Sequence, residues 1–443
     1  MKFYGRENEI KMLRHERELS HKAARFTVIT GRRRVGKTEL IGQAFDDKKD
    51  DYVYLLIRRQ NEKTLCADLQ ASVKEQMDDK IAIYGQIGRL IDLLKALFEY
   101  ARTRPLTIVI DEFQEMLYVN SGFYGELQGL WDSVHTTHKL NFVVSGSVNR
   151  MMNDVLFNYS AALYGRNTAH LRLKPFPVSL VKEILRDHSP TCTNDDLLDL
   201  WTITGGVARY VAMMMDTGAV DRKRMLKLIF SPISPFIDEG KSILIQEFGS
   251  EYTNYFSILA SIATGHTKYA EIEQDVGGQV TSYLMNLEKN YSMISKTLPV
   301  YSQVKARNAM YHIDDMFFRF WFRFVFKKQE YIELERFDEL RALVNRDFDT
   351  FSGYALERYF YQKFAEESHF TRIGSWWERK GENEIDLVCD DELAGELQFF
   401  EVKRDRERYD AELLKKKVVS FLNKQPELNT RKMKSGCLSL DVM

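Results

Sequence analysis

Residues 31–38 read GRRRVGKT and directly follow the apolar, β-branched run FTVIT at 26–30. The run predicts a strand and the residues from Lys37 predict a helix, which is the context that this glycine–lysine–threonine spacing requires. Two glycines let the backbone curl so that successive N–H groups point inward, and the helix adds its positive N-terminal end. The pattern therefore predicts a phosphate-binding loop rather than a glycine-rich turn.

The predicted nucleotide-binding residues share this loop and the first turn of the helix behind it. They are Gly31, Arg32, Arg33, Arg34, Val35, Gly36, Lys37, Thr38 and Glu39. Lys37 supplies a positive charge to the outer phosphates, and Thr38 supplies a hydroxyl to Mg²⁺. We therefore expect ATP and Mg²⁺ as cofactors, with Thr38 as a metal ligand.

A second apolar run, LTIVIDE at 106–112, ends in two adjacent carboxylates. Buried strands rarely end in two neighbouring acidic residues unless a cation balances their negative charge. We expect Asp111 to hold Mg²⁺ indirectly and Glu112 to orient and deprotonate the attacking water. A third run, NFVVSGS at 141–147, makes Ser145 a candidate γ-phosphate sensor; the alternative is a serine that closes a strand.

Length and composition narrow the class of protein. A chain of 443 residues is too long for one core and suggests about three domains. The net charge of −1 gives no bulk electrostatic argument for nucleic acid or membrane, so such binding needs local patches. The four cysteines form no C-x-x-C pair, and no segment reaches about 18 uncharged residues. These features predict a cytoplasmic protein with reduced thiols and no membrane partner.

The order of strand-like and helix-like runs predicts an α/β fold that begins with a P-loop parallel sheet. Over the first roughly 215 residues the two kinds of run alternate, which favours a parallel sheet with helices on both faces and nucleotide at the carboxyl ends of its strands. We assign residues 1–177 to this ATPase core. Helical periodicity then predicts a lid subdomain at 178–235 that closes over the nucleotide, with SPISPF at 231–236 as a linker.

Residues 236–315 are predicted to form a winged helix-turn-helix. Three helical stretches and two β-like runs occur between positions 251 and 311, in the order of that module. From residue 252 to residue 311, five basic residues stand against four acidic ones, a net charge of about +1. The basic residues are Lys268, Lys289, Lys296, Lys305 and Arg307, and the acidic ones are Glu271, Glu273, Asp275 and Glu288. Because that charge is thin for a phosphate-binding face, DNA binding and an internal packing role both stay open.

The segment MFFRFWFRFVFKK at 316–328 interleaves aromatic and basic residues. It could stack on single-stranded nucleic acid, but aromatics that fill a core, with arginines reaching out from its edge, are the favoured interpretation. We assign 316–350 to a helical connector, whose charged helix is expected to end near FSG at 351–353.

The last part of the chain, 351–443, holds a second set of chemical residues. Glu401 and Lys403 flank Val402 in a strand-like run and so share one face, and Asp386 can join them if its own run pairs with theirs. Glu357, on a predicted amphipathic helix, supplies a further carboxylate. Two carboxylates on one metal ion beside an ammonium can position water for attack on a phosphodiester, which makes Asp386 and Glu401 candidate metal ligands. Surface ion pairs are the alternative.

Residues 403–434 contain eleven Lys or Arg against five Asp or Glu. A basic run of this kind is usually a solvated helix face. Beside candidate metal-binding acids it could hold the backbone of DNA or RNA.

With these residues in view, the whole chain resembles the archaeal-type ATPases of the STAND branch of the AAA+ P-loop superfamily. The segments that carry the resemblance are FYGRENEIKML at 3–13, GRRRVGKTEL at 31–40, LTIVIDEFQEM at 106–116, VVSGSVNRMM at 143–152 and LYGRNTAHLRLKPF at 163–176. The resemblance implies an ATPase module that leads through a winged helix to a C-terminal, restriction-endonuclease-like α/β domain of the PD-(D/E)xK kind.

The resemblance also implies roles for single residues. Glu357, Asp386, Glu401 and Lys403 fall on the four positions of the nuclease motif. Arg166, in LYGR, is a candidate phosphate-contacting or signalling arginine, and a structural salt bridge is the alternative.

Two functions follow from these residues. In the first, Mg·ATP binding and slow hydrolysis rearrange the winged-helix module and control a metal-dependent nuclease site. In the second, the chain is a nucleotide-gated regulator whose winged helix binds DNA or a partner and whose nuclease fold is idle. A motor is a weaker third alternative, and it would require a ring-shaped homo-oligomer because we find one ATPase core.

Overall fold

The computed structural model describes residues 1–47, 50–78, 80–81, 85–147, 149–302, 308–367, 369–378 and 383–443. The chain divides into two compact units, one formed by Gly5–Lys174 and the other by Met1–Tyr4 with Pro175–Met443. Within the described ranges, no helix combines the length and the apolar character that a membrane crossing needs.

The amino-terminal unit is built on a five-stranded, all-parallel sheet. Its strands are β1 (Arg25–Thr30), β2 (Asp51–Leu56), β3 (Leu106–Asp111), β4 (Leu140–Gly146) and β5 (Ala169–Arg172). Their order across the sheet is β2-β3-β4-β1-β5. Every residue of β3 and β4 is buried, which requires cover on both faces and accounts for their continuous apolar character. The predicted parallel α/β sheet is confirmed.

Seven helices accompany this sheet in the described part of the unit. They are α1 (Glu7–Ser20), α2 (Lys37–Phe45), α3 (Glu62–Gln76), α4 (Leu90–Ala101), α5 (Met116–Val119), α6 (Phe123–Val134) and α7 (Asn149–Met152). The core between helices and sheet includes Phe26, Phe98, Trp131 and Phe142, whose rings pack 5.0–6.2 Å apart. This packing joins β1 and β4 to helices α4 and α6.

The second unit opens with helices, as predicted from position 178. They are α8 (Val178–His188), α9 (Asn194–Thr204), α10 (Ala208–Asp216), α11 (Arg222–Ile229) and α12 (Pro235–Phe248). Ser234 caps α12 and Pro235 begins it, so the predicted linker ends in a helix start. Whether these helices close over a nucleotide stays a prediction.

Three helices and a two-stranded antiparallel sheet follow in the order expected of a winged helix. They are α13 (Tyr252–Ala263), α14 (Tyr269–Val276), α15 (Thr281–Lys289), β6 (Ile294–Thr297) and β7 (Met310–Ile313). The winged-helix assignment itself stays a prediction. Two residues of its charge count, Lys305 and Arg307, lie outside the described residues.

The aromatic segment is helix α16 (Met316–Phe324), and its rings fill a core. Seven of its nine residues are buried, and Trp321 donates its indole N–H to the carbonyl oxygen of Ile237 at 2.9 Å. Arg319 lies over the ring of Phe351 and donates to the carbonyl oxygen of the same residue at 3.1 Å. The core interpretation is therefore confirmed for these aromatics.

A short helix, α17 (Gln329–Glu333), leads into α18 (Phe337–Glu367), which runs for 31 residues without a break. The prediction that a helix ends near 351–353 is wrong. Phe351, Ser352 and Ala355 are buried on one stripe of α18, and packing of this stripe outweighs the roughly 1 kcal/mol that Gly353 costs in a helix. Glu357 lies on the same continuous helix.

The C-terminal part is a four-stranded mixed sheet with one long helix. Its elements are β8 (Arg372–Trp377), β9 (Glu384–Asp391), β10 (Glu396–Val402), α19 (Ala411–Lys424) and β11 (Lys432–Leu438). The strand order is β11-β10-β9-β8, and only the β10–β11 pair is parallel. The predicted pairing of the two runs that carry Asp386 and Glu401 is confirmed, because β9 and β10 are neighbours.

Candidate functional site

The loop after β1 has the backbone that its glycines predict. Gly36 precedes α2 with a φ of 97°, a left-handed conformation that side chains with a Cβ rarely adopt. A Cβ on Gly31 would lie 2.6 Å from the carbonyl oxygen of Leu173, the residue that pairs with Thr30 through its N–H. Both glycines of the motif are therefore required by geometry.

Lys37 is buried at the start of α2 and reaches back over the loop. Its ammonium donates to the carbonyl oxygens of Gly31 at 2.9 Å and Arg32 at 3.2 Å. Arg33 is half-buried, whereas Arg34 and Glu39 are exposed and Val35 is buried. The lysine charge is thus held inside the curled loop, where an anionic phosphate would sit.

Asp111 meets Thr38 at the carboxyl edge of the sheet. The Thr38 hydroxyl donates to Oδ2 of Asp111 at 2.9 Å, and the phenol of Tyr54 donates to the same oxygen at 2.5 Å. The other oxygen, Oδ1, accepts the backbone N–H of Glu112 at 2.9 Å. Burial and the nearby Asp111 carboxylate raise the pKa of Tyr54, so this phenol remains a donor. A hydroxyl beside a carboxylate is a donor set that suits Mg²⁺.

Glu112 is held in a strained backbone conformation, with a φ of 52°. Its Oε2 accepts a hydrogen bond from Gln114 Nε2 at 2.6 Å and from the Ser147 hydroxyl at 3.0 Å. These two donors fix the direction of the carboxylate. Sequence reasoning missed both of them, although Ser147 lies only two residues beyond the proposed sensor, Ser145.

The structure places the two remaining nucleotide-site candidates differently from each other. Ser145 is fully buried in β4, and its hydroxyl has no hydrogen-bond partner among the described residues. Arg166 forms a two-pronged ion pair with Asp132, with both N–O distances at 2.9 Å. This pair matches the salt-bridge alternative for Arg166, and a sensor role for Ser145 stays a prediction.

The C-terminal candidates also come together. Lys403 Nζ lies 2.8 Å from Oε2 of Glu401 and 3.5 Å from Oδ2 of Asp386. Asp386 Oδ2 also accepts the backbone N–H of Val402 at 2.7 Å. Glu357 faces this cluster from α18: burial and then the charges of Asp386 and Glu384 raise its pKa to about 8. The four predicted residues thus form one carboxylate–lysine cluster.

Lys417, on α19, is a member of this cluster that the sequence did not reveal. Its ammonium donates to Oε1 of Glu401 at 2.6 Å, so each oxygen of Glu401 meets one lysine. Burial works against the ionised form of Glu401, but the hydrogen bonds from Lys403 and Lys417 hold its pKa below the ordinary value. For Asp386, burial and the Glu401 charge raise the pKa.

As folded here, the cluster does not offer a ready metal site. Within the described ranges, no group of three His, Cys, Asp or Glu side chains is arranged to hold a metal ion. Both Glu401 oxygens are bonded to ammonium groups. The predicted metal roles of Asp386 and Glu401 therefore gain no support from this arrangement.

The strand order, the phosphate loop and the acid-ended strand beside it define a P-loop ATPase domain. Residues 3–214 match a family described as an ATPase domain predominantly from Archaea. The amino-terminal unit is accordingly similar to this family of ATPase domains, and its loop and strand order are those of a P-loop fold. Residues 321–417 match a family described as archaeal and bacterial proteins of unknown function.

Solved structures share this fold at low sequence identity. A Walker-type ATPase of Pyrococcus abyssi aligns with a TM-score of 0.53 and 19% identity, over 72% of this chain and 96% of that one. The ORC2 protein of Aeropyrum pernix, solved as ADPNP–ADP complexes, aligns with a TM-score of 0.50 and 16% identity, over 77% and 95%. An uncharacterized protein of Methanocaldococcus jannaschii is 27% identical over 416 residues, or 90% of this chain and 87% of the relative.

Proposed function

We propose that this chain is a Mg²⁺-dependent ATPase that acts as a nucleotide-gated switch on its C-terminal, nuclease-like domain. The observation that carries the ATPase part is the meeting of Thr38 and Asp111 at 2.9 Å, next to the buried ammonium of Lys37. A triphosphate in the loop replaces the carbonyl oxygens that Lys37 now contacts. The Thr38 hydroxyl and Asp111 would hold Mg²⁺, which would neutralise charge on the phosphates.

Glu112 is the base in this proposal. Its carboxylate is aimed by Gln114 and Ser147, and it takes the proton from the water that attacks the outer phosphate. Its position directly after Asp111 keeps the base next to the residue that bears the cation. Slow hydrolysis is consistent with a switch, because the ATP-bound state then lasts long enough to act on the C-terminal domain.

The ATPase proposal is tested with Lys37→Ala. We expect ATP turnover to fall to background while the circular dichroism spectrum and melting temperature stay close to those of the native protein. Lys22→Ala, which removes an exposed lysine from the same unit, serves as the control and should leave turnover unchanged. Native-like hydrolysis by Lys37→Ala would refute the assignment.

Contacts within the second unit support the gating part. Val300 and Asn308, which lie between β6 and β7, contact the C-terminal sheet: Val300 belongs to the apolar core of that sheet, and Trp377 donates its indole N–H to the carbonyl oxygen of Asn308 at 2.9 Å. These two residues of the hairpin connection are therefore already in contact with the C-terminal sheet. We therefore infer that the three-helix module with its hairpin is a winged helix that serves as an internal coupling unit.

A second connection joins the helical region to the carboxylate–lysine cluster. Arg404, the residue after Lys403, pairs with Asp195 on α9 and donates to the Ser352 hydroxyl on α18 at 2.8 Å. Movement of α9 therefore acts on the end of β10, where Glu401 and Lys403 lie. This path gives a nucleotide-dependent rearrangement of the helices a physical route to the cluster.

The proposed substrate of the cluster is a phosphodiester of DNA or RNA. Lys403 and Lys417 would meet the phosphate, and the adjacent basic segment 403–434 would hold the backbone. In the present conformation both ammonium groups are bound to Glu401, so the cluster is closed. Opening of this cluster by the ATP-driven switch is the gating step that we propose.

The test is a cleavage assay with single- and double-stranded DNA and RNA, with and without ATP, in Mg²⁺, in Mn²⁺ and in EDTA. Cleavage that is lost in Asp386→Ala and Lys403→Ala supports the nuclease output. Absence of cleavage under every ATP condition supports the second candidate, a nucleotide-gated regulator with an idle nuclease fold. The pairing of both Glu401 oxygens with lysines favours that second candidate.

A further inference from the structure

Tyr54 is the one residue outside the sequence motifs whose side chain bonds to Asp111 among the described contacts. Its phenol lies 2.5 Å from Oδ2 of Asp111, and the Thr38 hydroxyl reaches that same oxygen at 2.9 Å. Three oxygens, from β2, β3 and α2, therefore meet at one point. No nucleotide-binding pattern in the sequence marks position 54.

The bond fixes the rotation of the Asp111 carboxylate. Oδ2 accepts from Thr38 and Tyr54, while Oδ1 accepts the backbone N–H of Glu112 at 2.9 Å. With donors on both oxygens, the plane of the carboxylate cannot turn without breaking a hydrogen bond. A carboxylate that is already oriented loses less conformational freedom when a cation arrives.

Tyr54 is itself held in place on the edge of the sheet. β2 is an edge strand of the sheet, so the backbone groups of Tyr54 that face away from β3 pair with none of the described strands. The side chain of Gln76 on α3 fills this role: its Oε1 accepts the Tyr54 N–H at 2.8 Å and its Nε2 donates to the Tyr54 carbonyl oxygen at 3.0 Å. The Gln76 side-chain amide thus makes the two backbone hydrogen bonds that a neighbouring strand would make, and these hold the Tyr54 backbone in place with its phenol directed at Asp111.

We propose that Tyr54 is a positioning residue that aligns Asp111 with Thr38 and so sets the affinity of the nucleotide site for Mg²⁺. The proposal rests on the proposed ATPase function, because it assigns Asp111 and Thr38 to Mg²⁺. It goes beyond that function by naming a residue that governs the cation without touching nucleotide in the loop. Neighbouring Tyr52, on the same strand, provides a matched control.

The experiment measures binding of a fluorescent ATP analogue to the full chain, first in EDTA and then along a Mg²⁺ titration. For Tyr54→Phe we expect affinity in EDTA within about twofold of native, and a roughly five- to tenfold higher Mg²⁺ concentration for half-maximal tightening. Tyr52→Phe should follow the native curve. Gln76→Ala should shift the Mg²⁺ midpoint in the same direction as Tyr54→Phe.

Asp111→Asn separates failure of this proposal from failure of the ATPase assignment. If Asp111→Asn loses the Mg²⁺ effect while Tyr54→Phe keeps the native midpoint, the positioning role is refuted and the ATPase assignment stands. If Asp111→Asn keeps the Mg²⁺ effect, the assignment of the cation to Asp111 is itself wrong. Melting temperatures of all four variants show whether a binding change reflects loss of the fold.

Discussion

Val300 donates its backbone N–H to the carbonyl oxygen of Ser375 at 2.8 Å, and thereby joins the segment after β6 to strand β8. Ser375 in turn contacts the next strand: its hydroxyl donates to the carbonyl oxygen of Asp386 at 2.8 Å. Val300 is thus two hydrogen bonds from Asp386, a member of the carboxylate–lysine cluster. This relationship connects the segment after β6 with the cluster through one backbone hydrogen bond and one hydrogen bond from a serine side chain.

Val300→Ala should weaken the packing of this segment against the C-terminal core, because it keeps the backbone N–H but shortens the side chain. Loss of two methyl groups from the core beside Trp376 and Phe421 should cost about 1–3 kcal/mol in the free energy of unfolding, measured with urea. Val419→Ala, at an exposed position of α19, is the control and should change stability by less than about 0.5 kcal/mol. Equal effects of the two substitutions would mean that Val300 does not contribute to the C-terminal core.

Glu112→Gln should separate nucleotide binding from hydrolysis. The amide retains the size of the carboxylate but cannot accept a proton, so we expect phosphate release to fall by about 10²–10⁴-fold. Affinity for ATP should change by less than about threefold, because the loop residues are untouched. Glu126→Gln, an exposed position on α6, is the control. Full activity of Glu112→Gln would remove this residue from the mechanism.

Substitution by alanine should have opposite effects at two glycines that lie eleven residues apart. At Gly31 a Cβ would lie 2.6 Å from the Leu173 carbonyl oxygen, so Gly31→Ala should displace the loop and abolish ATP binding. At Gly42, inside α2, a Cβ meets nothing within 4 Å, so Gly42→Ala should stabilise the unit by about 0.5–1 kcal/mol. Calorimetric melting and ATP titration measure the two outcomes. Normal ATP binding by Gly31→Ala would contradict the close approach.

Lys417→Met should destabilise the C-terminal domain by about 1–3 kcal/mol at pH 7, because it leaves buried Glu401 with one ammonium partner. The lowered pKa of Glu401 means that its pairing stabilises the fold above the unfolded-state pKa, and that this contribution is lost as pH falls through the lower, folded-state value. The difference between variant and native protein should therefore shrink in acid. Lys415→Met, on the exposed side of α19, should be nearly neutral at all pH values.

His312 should make the second unit sensitive to acid. Burial, and then the charges of Arg358 and Arg319, lower the pKa of His312 to about 4, and its ring stacks on Tyr354 at 5.0 Å. The neutral ring is favoured in the fold, so its contribution is complete above pH of about 6.5 and is lost as pH falls toward 4. His312→Phe keeps a ring that can stack on Tyr354. Between pH 7.5 and pH 5, its free energy of unfolding should fall by about 1–2 kcal/mol less than that of the native protein. Identical pH profiles in urea unfolding would contradict a buried neutral histidine.

The buried strands of the parallel sheet were the elements most easily predicted from the sequence. The runs at 26–30, 106–112 and 141–147 each became a parallel strand, because continuous β-branched residues suit a strand buried on both faces. The long helix α18 differs from the sequence prediction of a helix end near 351–353. The signal at 351–353 indicated an end, but burial of Phe351 and Ala355, which depends on distant residues, carried the helix through.

The sequence by itself determined the chemistry available at each site: a loop with Lys37 and Thr38, a strand ending in Asp111 and Glu112, and a strand pair carrying Asp386 and Lys403. These features are local, since spacing along the backbone sets which groups share a loop or a strand face. Only the tertiary structure decided the partners of those groups. Tyr54, Ser147 and Lys417 reach them from elements far away in sequence, and such meetings depend on how strands and helices pack.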